Sequence, residues 1–259
     1  MSDSVDRRPR IAALVSRGAG ALLLAGAAQA QGGPPLRTDD PGTPGDGRWE
    51  LNFAFTFERS AGRRELEAPL LDLNYGLGER LQLKYEVPWV HLDEPGSGTS
   101  DGLGNSTAGV KWRFADARGS APALSCYPQL EFQNPGSSSS ERGLAEPGSA
   151  LFLPLEVAWE FGAYGLGVEV GREFREVGAD GWAAGVAIGR SLGESCELLA
   201  EVHGEASAQF DSSAGVLDFG ARIGLGSGCR LLGAVGFGLW SQDSERTDLA
   251  AYLGLQLEL

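Results

Sequence analysis

The chain has 259 residues, 35 acidic against 21 basic, and a net charge of −14 at pH 7, a balance that argues against nucleic acid as a partner. Its three cysteines, Cys126, Cys196 and Cys229, match no zinc or redox spacing. Beyond the N-terminus no stretch approaches the roughly 18 apolar residues of a transmembrane helix, although acidity is compatible with a bilayer when a barrel keeps its charges in the lumen and loops.

Residues 1–30 read as a secretory leader. Arg7, Arg8, Arg10 and Arg17 form a basic region, a short apolar run follows from Gly18 to Ala28, and Ala28-Gln29-Ala30 is a cleavage signal that makes Gln31 the new N-terminus. The run is too short to span a bilayer. The residues after Arg7-Arg8 do not fit a twin-arginine signal, and barrel insertion needs unfolded export, so the general secretory route is expected. The leader carries four Arg and two Asp, so cleavage takes the charge from −14 to about −16.

Period-two alternation governs the rest. A first strand, about 48–58, sets Trp49, Leu51, Phe53, Phe55 and Phe57 against Glu50, Asn52, Thr56 and Glu58. The second, about 68–76, sets Leu71, Leu73 and Tyr75 against Asp72 and Asn74; the third, about 80–90, sets Leu81, Leu83, Tyr85, Val87 and Trp89 against Gln82, Lys84 and Glu86. The fourth, about 105–115, opposes Val110, Trp112 and Phe114 to Lys111 and Arg113, and the fifth, about 122–132, opposes Leu124, Cys126, Leu130 and Phe132 to Ser125, Tyr127, Gln129 and Glu131. With more Gly and Ala the theme continues over 150–160 (Glu156 and Glu160 inside), 163–173 (Glu169), 181–191, 197–207 (Glu201, His203, Glu205) and 216–226 (Asp218, Arg222). The segment 230–240 is apolar or Gly on both faces, and Trp240 falls off the parity of Leu231, Val235 and Phe237, which demands a bulge or an inward ring. A twelfth strand, 248–259, ends the chain.

Short connections (76–79, 115–121, 161–162, 192–196, 226–229) alternate with longer polar ones (59–67, 91–104, 133–149, 173–180, 208–215, 241–247), the asymmetry of periplasmic turns and extracellular loops. On that topology Trp49, Trp112 and Trp159 lie towards the periplasmic rim and Trp89, Trp182 and Trp240 towards the outer rim. Indole favours the bilayer interface, and a soluble sandwich or barrel, with its apolar face inside, has no need of Trp at the strand tips. The expected fold is therefore all-β: a transmembrane antiparallel up-and-down β-barrel of about 12 strands, of the bacterial outer-membrane type. Residues 31–47 form a periplasmic N-terminal segment and 48–259 the barrel.

Several stretches resemble a known family. They are Pro35-Leu36-Arg37-Thr38-Asp39-Asp40-Pro41-Gly42-Thr43-Pro44, Trp49-Glu50-Leu51-Asn52, Pro69-Leu70-Leu71-Asp72-Leu73-Asn74-Tyr75-Gly76, Leu81-Gln82-Leu83-Lys84-Tyr85-Glu86-Val87-Pro88, Gly109-Val110-Lys111-Trp112-Arg113-Phe114 and Tyr127-Pro128-Gln129-Leu130-Glu131-Phe132. Together they are similar to the outer-membrane barrels labelled for the MetA pathway of phenol degradation, or simply "transporter". The likeness covers about 35–160 and extends to the Gly/Ala-rich remainder only by pattern. It implies an outer-membrane channel-like protein, with a label that points to hydrophobic or aromatic compounds.

The inward set, Glu50, Asp72, Lys84, Glu86, Lys111, Arg113, Glu131, Glu156, Glu169, Glu201, His203, Asp218 and Arg222, is the candidate pore lining. Twelve tilted strands give a backbone diameter of roughly 25 Å, narrowed by side chains to roughly 10 Å. One reading is a selective pore with a mostly acidic wall and a basic patch from the third and fourth strands. The other is a closed barrel whose charges pair with one another, since inward charges need partners either way. Arg37, Asp39 and Asp40 are candidates for a plug at the periplasmic mouth, with the two carboxylates reaching Lys111 or Arg113.

Catalysis is not expected. The two histidines, His91 and His203, offer no Ser-His pair with an orienting acid, there is no G-x-S-x-G elbow, and Glu201, His203 and Glu205 on one strand cannot converge on a metal. Cys196 and Cys229 fall in turns on one membrane side, where the periplasm permits a disulfide, but two strand spacings, roughly 10 Å, separate them. Ser137–Ser140 and 96–100 read as solvated outer loops. No cofactor is implied. The expected partners are outer-membrane lipid, the barrel-assembly machinery during insertion and a small-molecule solute. The functional expectation is passive uptake of small solutes, with a structural or surface-interaction barrel of closed lumen as the alternative.

Overall fold

The computed structural model describes residues 32–243 and 245–259; the leader and its cleavage site lie outside the described residues. Fourteen strand segments follow one another: β1 (Trp49–Ser60), β2 (Arg63–Leu77), β3 (Leu81–Glu94), β4 (Gly98–Leu103), β5 (Ser106–Ala115), β6 (Ala123–Cys126), β7 (Gln129–Phe132), β8 (Ala150–Phe161), β9 (Tyr164–Arg175), β10 (Gly181–Ser191), β11 (Cys196–Ser207), β12 (Ser213–Gly226), β13 (Cys229–Gln242) and β14 (Thr247–Glu258). They build twelve staves. β4 and β5 both pair with β3 and form one stave interrupted at 104–105. β6 and β7 both pair with β5 and β8 and form another, interrupted at Tyr127 and Pro128. Every stave lies antiparallel to its chain neighbour, and β1 pairs with β14 to close the barrel. Closure leaves no edge over most of the wall; the exceptions are β4, paired only with β3, and the end of β13 past Gly236, where the side chains of Ser139, Arg142 and Arg246 donate to the carbonyls of Leu103, Asp101 and Gly238.

The faces of this wall are inverted relative to a water-soluble fold. On β1, Phe53 and Phe55 point outward, 43% and 52% exposed, while Asn52 and Ala54, which alternate with them, are each 1% exposed. The same exchange recurs around the barrel: Val110, Leu155, Val186, Leu198, Phe219 and Leu253 are exposed, and Asp72, Lys111, Glu156, Glu169 and Glu201 are buried. Exposed apolar surface costs about 25 cal/mol per Å² in water. In hydrocarbon that cost vanishes, so the outer face reads as a lipid contact. Trp49, Trp112 and Trp159 pair near the strand ends that carry the short turns, and Trp89, Trp182 and Trp240 lie towards the opposite ends.

Three sequence expectations change. The stretches 59–67 and 91–104 are not loops. β1 and β2 continue to a two-residue turn at Ala61 and Gly62, both at positive φ (48° and 88°), the geometry that suits a tight hairpin. β3 and β4 likewise continue to a turn at 95–97. These extensions were hidden because a strand standing clear of the membrane has water on both faces and carries charges on both. Arg64 faces Asp93 at 3.6 Å there, and Arg63 faces Glu65 at 2.6 Å. The fifth predicted strand is divided, because Pro128 has no N–H to give to the ladder; its neighbour Tyr127 still donates to Pro154 O at 3.3 Å.

The facing of β13 is settled by a bulge. Val216 pairs with Gly238 but Gly215 pairs with Trp240, so Leu239 is the extra residue. Leu231, Val235 and Phe237 face outward and Leu232 is buried inward. The Trp240 indole then lies outside, across two glycines. A Cβ on Gly215 or Gly204 would stand 2.1 or 2.8 Å from a ring atom. All three cysteines are free.

A lipid-facing wall predicts a depth-dependent response to charge. Val186→Arg, mid-way along β10, is expected to lower stability in a bilayer by roughly 2–4 kcal/mol, whereas Leu192→Arg, just past the strand end, costs about 1 kcal/mol or less. Equal, small effects in denaturant titrations of the refolded barrel would sink the membrane assignment of this face.

Candidate functional site

The segment before β1 runs up inside the barrel and turns back. At its base Gly47 N–H donates to Gly76 O at 3.0 Å, and Gly76 N–H donates to Arg48 O at 2.9 Å. The Thr43 hydroxyl donates to Glu79 O at 2.9 Å, and Asp46 accepts the N–H of Gly78 at 2.9 Å. Higher up, the Asp40 carboxylate accepts from Gly42 N–H (2.5 Å) and Gly32 N–H (2.8 Å), which draws the two limbs together. Gly33 N–H closes the tip on Thr38 O at 2.7 Å, and Leu36 packs on Ala187 of β10 and Leu199 of β11.

The wall that receives this segment presents carboxylates directly opposite each other. Glu156 and Glu169 are cross-strand partners on β8 and β9, and Glu201 and Asp218 on β11 and β12. Like charges in register destabilise a sheet, and buried carboxylates need donors. The segment supplies them. Arg37 N–H and Thr38 N–H donate to the two oxygens of Glu201 at 2.7 and 2.9 Å, and Asp39 N–H donates to Glu169 at 3.3 Å. In return the wall grips the segment through two cations. Lys111 Nζ lies 2.8 Å from Asp39 Oδ1, 2.5 Å from Asp40 O, 3.8 Å from Glu156 and 4.6 Å from the centre of the Tyr127 ring. The Arg222 guanidinium donates to the carbonyls of Pro34 (2.9 Å), Gly33 (3.0 Å) and Gly32, and to Glu197 at 3.0 Å. Arg37 itself reaches Glu58 at 3.0 Å and Asp218 at 3.9 Å.

Most of the remaining inward residues pair with one another. Asp72 accepts from Asn52 and Asn74, each at 3.0 Å; Asn52 also donates to Glu50 at 3.2 Å; Gln82 donates to Asn74 (2.8 Å) and to the Tyr127 hydroxyl (3.2 Å). Lys84 sits between Glu86 (2.9 Å) and Asp72 (3.8 Å). The basic patch expected from Lys84, Lys111 and Arg113 is thus neutralised by neighbouring acids. Glu131 accepts from Asn105 at 2.7 Å near the outer mouth.

Arg113 departs from expectation: neither Asp39 nor Asp40 reaches it. It lies at the rim that carries the short turns, donating to Glu79 O at 2.6 Å and facing Asp116 at 3.2 Å. Asp116, which also accepts from Arg80, is held below the usual carboxylate range by that hydrogen bond. Asp40 meets Lys111 through its carbonyl, its carboxylate being committed to its own limb. His203 Nε2 is 3.7 Å from Glu205, and its Nδ1 has no hydrogen-bond partner. His91 stands on β3 in register with Leu66 and Asp101, above the apolar belt.

Thr38 and Gly185 were missed by sequence reasoning. Thr38 is fully buried, and a Cβ on Gly185 would stand 1.9 Å from its hydroxyl, so only glycine in β10 leaves room for the tip. The one signal was a glycine in the middle of an Ala/Val strand.

The segment separates two large cavities. One of about 580 Å³ opens below it, lined among others by Asp40, Glu50, Lys84, Arg113 and Arg230. One of about 560 Å³ opens above it, lined by Arg37, Glu131, Glu173, Arg175 and Glu205. A third, of about 310 Å³, lies beside the tip.

No family model and no curated protein matches the chain. Solved structures do. An outer-membrane channel of Pseudomonas putida F1 superposes with a TM-score of 0.69 at 13% identity, over 86% of this chain and 100% of that one. The NanC porin superposes at 0.60 and 7% identity, over 81% and 100%, and the KdgM porin at 0.57 and 9%, over 80% and 98%. The barrel is therefore of the outer-membrane type. At such identities the likeness is one of fold.

The fit of Thr38 over Gly185 makes a direct prediction. With the native cysteines replaced by Ser, Leu36→Cys is expected to react slowly with a membrane-impermeant maleimide, and adding Gly185→Val should speed the reaction at least tenfold by expelling the tip. Equal labelling rates would mean that the segment is not seated by this contact.

Proposed function

We propose that this chain is a channel of the bacterial outer membrane for passive uptake of small solutes, constricted by the segment 32–47. The supporting observation is the placement of that segment: it fills the bore between two solvent-sized cavities and is held there by polar contacts to both sides of the wall. The inward set Glu50, Asp72, Lys84, Glu86, Lys111, Arg113, Glu131, Glu156, Glu169, Glu201, His203, Asp218 and Arg222 then lines the path, with Arg37, Asp39 and Asp40 as its plug. The six tryptophans anchor the two rims in lipid interfaces. The leader delivers the chain to the periplasm, and the barrel-assembly machinery inserts it. The fold shared with the Pseudomonas putida F1 outer-membrane channel supports the same class of function.

Membership of the family labelled for the MetA pathway of phenol degradation is part of this reading. It is supported by the stretch Pro35–Pro44, which resembles that family and is the stretch that enters the lumen. The reading includes no catalytic step.

A second reading, a structural barrel with a closed lumen, is favoured by one observation: Lys84, Lys111 and Arg222 are each saturated by partners, as they would be in a bore that nothing crosses.

Single-channel current across a planar bilayer separates the two. Refolded 31–259 is expected to give small discrete steps, and deletion of 32–47 to raise the conductance several-fold. Unchanged conductance on deletion would dismiss the segment as the constriction, and silence from both folded proteins would establish the closed barrel.

A further inference from the structure

We propose that His203 is a proton sensor that loosens the segment tip when the outer side is acidified. This adds a regulation to the constriction proposed above and rests on that reading. Glu169, Gly185 and His203 stand in one row across β9, β10 and β11. Gly185 has no side chain, so the other two flank a gap, and Thr38 of the segment fills it. A Cβ on Gly185 would stand 1.9 Å from the Thr38 hydroxyl and 3.1 Å from His203 Nδ1. Both atoms are buried, and neither has a hydrogen-bond partner among the described residues. A titratable ring thus borders the seat of the tip with one nitrogen uncommitted. His203 also lines the upper cavity of about 560 Å³, which brings water and protons to it from the outer side.

Carboxylates dominate the charges around the ring. On its own strand Glu205 lies 3.7 Å from Nε2, and Glu201 is the next inward residue on the other side. β9 contributes Glu169, β12 contributes Asp218 opposite Glu201, and β8 contributes Glu156 opposite Glu169. β10 contributes no charge, since Ala183 and Ala187 flank Gly185 on the inward face. Glu173 and Arg175, higher on β9, pair with each other at 2.7 Å. Arg246 lies over Gly238 of β13, two strands from His203. The segment brings Arg37, together with Asp39, which Lys111 holds at 2.8 Å.

Seating the tip and protonating His203 are two ways to compensate the same carboxylates. The seated tip places the Arg37 guanidinium 3.9 Å from Asp218, and it donates the N–H groups of Arg37 and Thr38 to Glu201 and that of Asp39 to Glu169. With the tip displaced, the carboxylates keep their charge and lose these donors. An imidazolium is then more stable among them than it is beside a seated Arg37. His203 therefore binds its proton more tightly in the displaced state. By linkage, proton binding favours displacement: the seating free energy is fully present above the imidazole range and declines as pH falls through it. Glu169 and Glu201 act in the same sense, because a protonated carboxyl is a weaker acceptor for the segment's N–H groups.

The labelling rate of Leu36→Cys by a membrane-impermeant maleimide measures displacement. In the refolded full chain, with its native cysteines replaced by Ser, the rate is divided by that of Ser138→Cys in the exposed outer loop. Measurements at about pH 7.5 and about pH 5.5 bracket the ordinary imidazole range. Acidification is expected to raise the ratio about fivefold, the change that roughly one pH unit of difference in proton affinity produces. With His203→Gln the rise is expected to fall below about twofold. Ionisation of the thiol is common to both chains and cancels in the comparison. An equal rise in His203→Gln would assign the effect to the carboxylates and overturn the sensor, as would a ratio that stays level or falls on acidification. Should His203→Gln not fold, as judged by gel mobility before and after boiling, His203→Lys places a permanent cation in the same position. That variant is expected to label fast at both pH values, and slow labelling at the higher one overturns the proposal. Current recorded from the same preparations keeps the two readings apart. Conduction with pH-independent labelling removes the sensor and leaves the channel. Acid-raised labelling that depends on His203, without conduction at either pH, removes the channel and leaves the sensor.

Discussion

Buried carboxylates that face each other across the wall are the constraint from which the lumen is built. A closed barrel consumes nearly all its own backbone N–H groups in its ladders, so it has few to offer the interior. Glu201, opposite Asp218, and Glu169, opposite Glu156, must take donors from somewhere else. The segment before β1 is a length of chain outside the ladders, with its N–H groups unspent. Three consecutive ones, at Arg37, Thr38 and Asp39, are used on Glu201 and Glu169. Lys111 completes the set by bridging Glu156 to Asp39. Removing the segment would strand these carboxylates, and removing the carboxylates would leave the segment nothing to hold.

The two sides of the barrel solve the problem differently, and composition follows. The β1–β3 side, with Tyr127 beside it, carries the amides Asn52 and Asn74, which satisfy Asp72 within the wall, and Gln82, which donates to Asn74 and Tyr127. Its side chains are long and fill their own space. The β9–β13 side is rich in Gly and Ala, and its inner face is correspondingly thin. Gly185 admits Thr38, Gly236 admits Asp218, and Ala187 with Leu199 makes the small apolar seat for Leu36. The Gly/Ala bias of the second half therefore has a physical purpose: the off-centre segment needs a wall without side chains where it leans.

The strand ladder was legible in the sequence because lipid on one side and charge on the other enforce strict alternation, one stave after another. Legibility failed where that contrast fails. Above the membrane, Glu58, Arg59, Arg63 and Arg64 have water on both sides, and strand there looks like loop. On β13 both faces are small or apolar, so parity was silent until the bulge at Leu239 fixed it. The inward charges were identifiable by alternation, but their partners were not, since pairing depends on barrel closure and on the path of the segment. That Asp39 and Asp40 would meet Lys111 or Arg113 was expected from charge alone. That Asp40 would offer its carbonyl, and that Arg113 would turn to Glu79 and Asp116, depends on how the chain enters the bore, and no periodicity encodes that.

The chemistry that seats the segment also limits how firmly it is seated. Its buried apolar contacts are few, Leu36 on Ala187 and Leu199 together with Pro35 and Pro41, and the rest is hydrogen bonds and ion pairs. A hydrogen bond exchanged for one to water contributes only about 0.5–1.5 kcal/mol net, and cavities of about 580 and 560 Å³ bring room for water to both sides of the segment. Departure of the whole segment would expose the facing carboxylates together, and that resists wholesale release. Local rearrangement carries no such cost, because water can replace one donor at a time. A constriction built this way differs from a packed core, which yields only by opening an empty void. On the channel reading, a small solute therefore passes by shifting polar contacts within the bore, while Lys111 and Arg222 continue to anchor the two limbs of the segment.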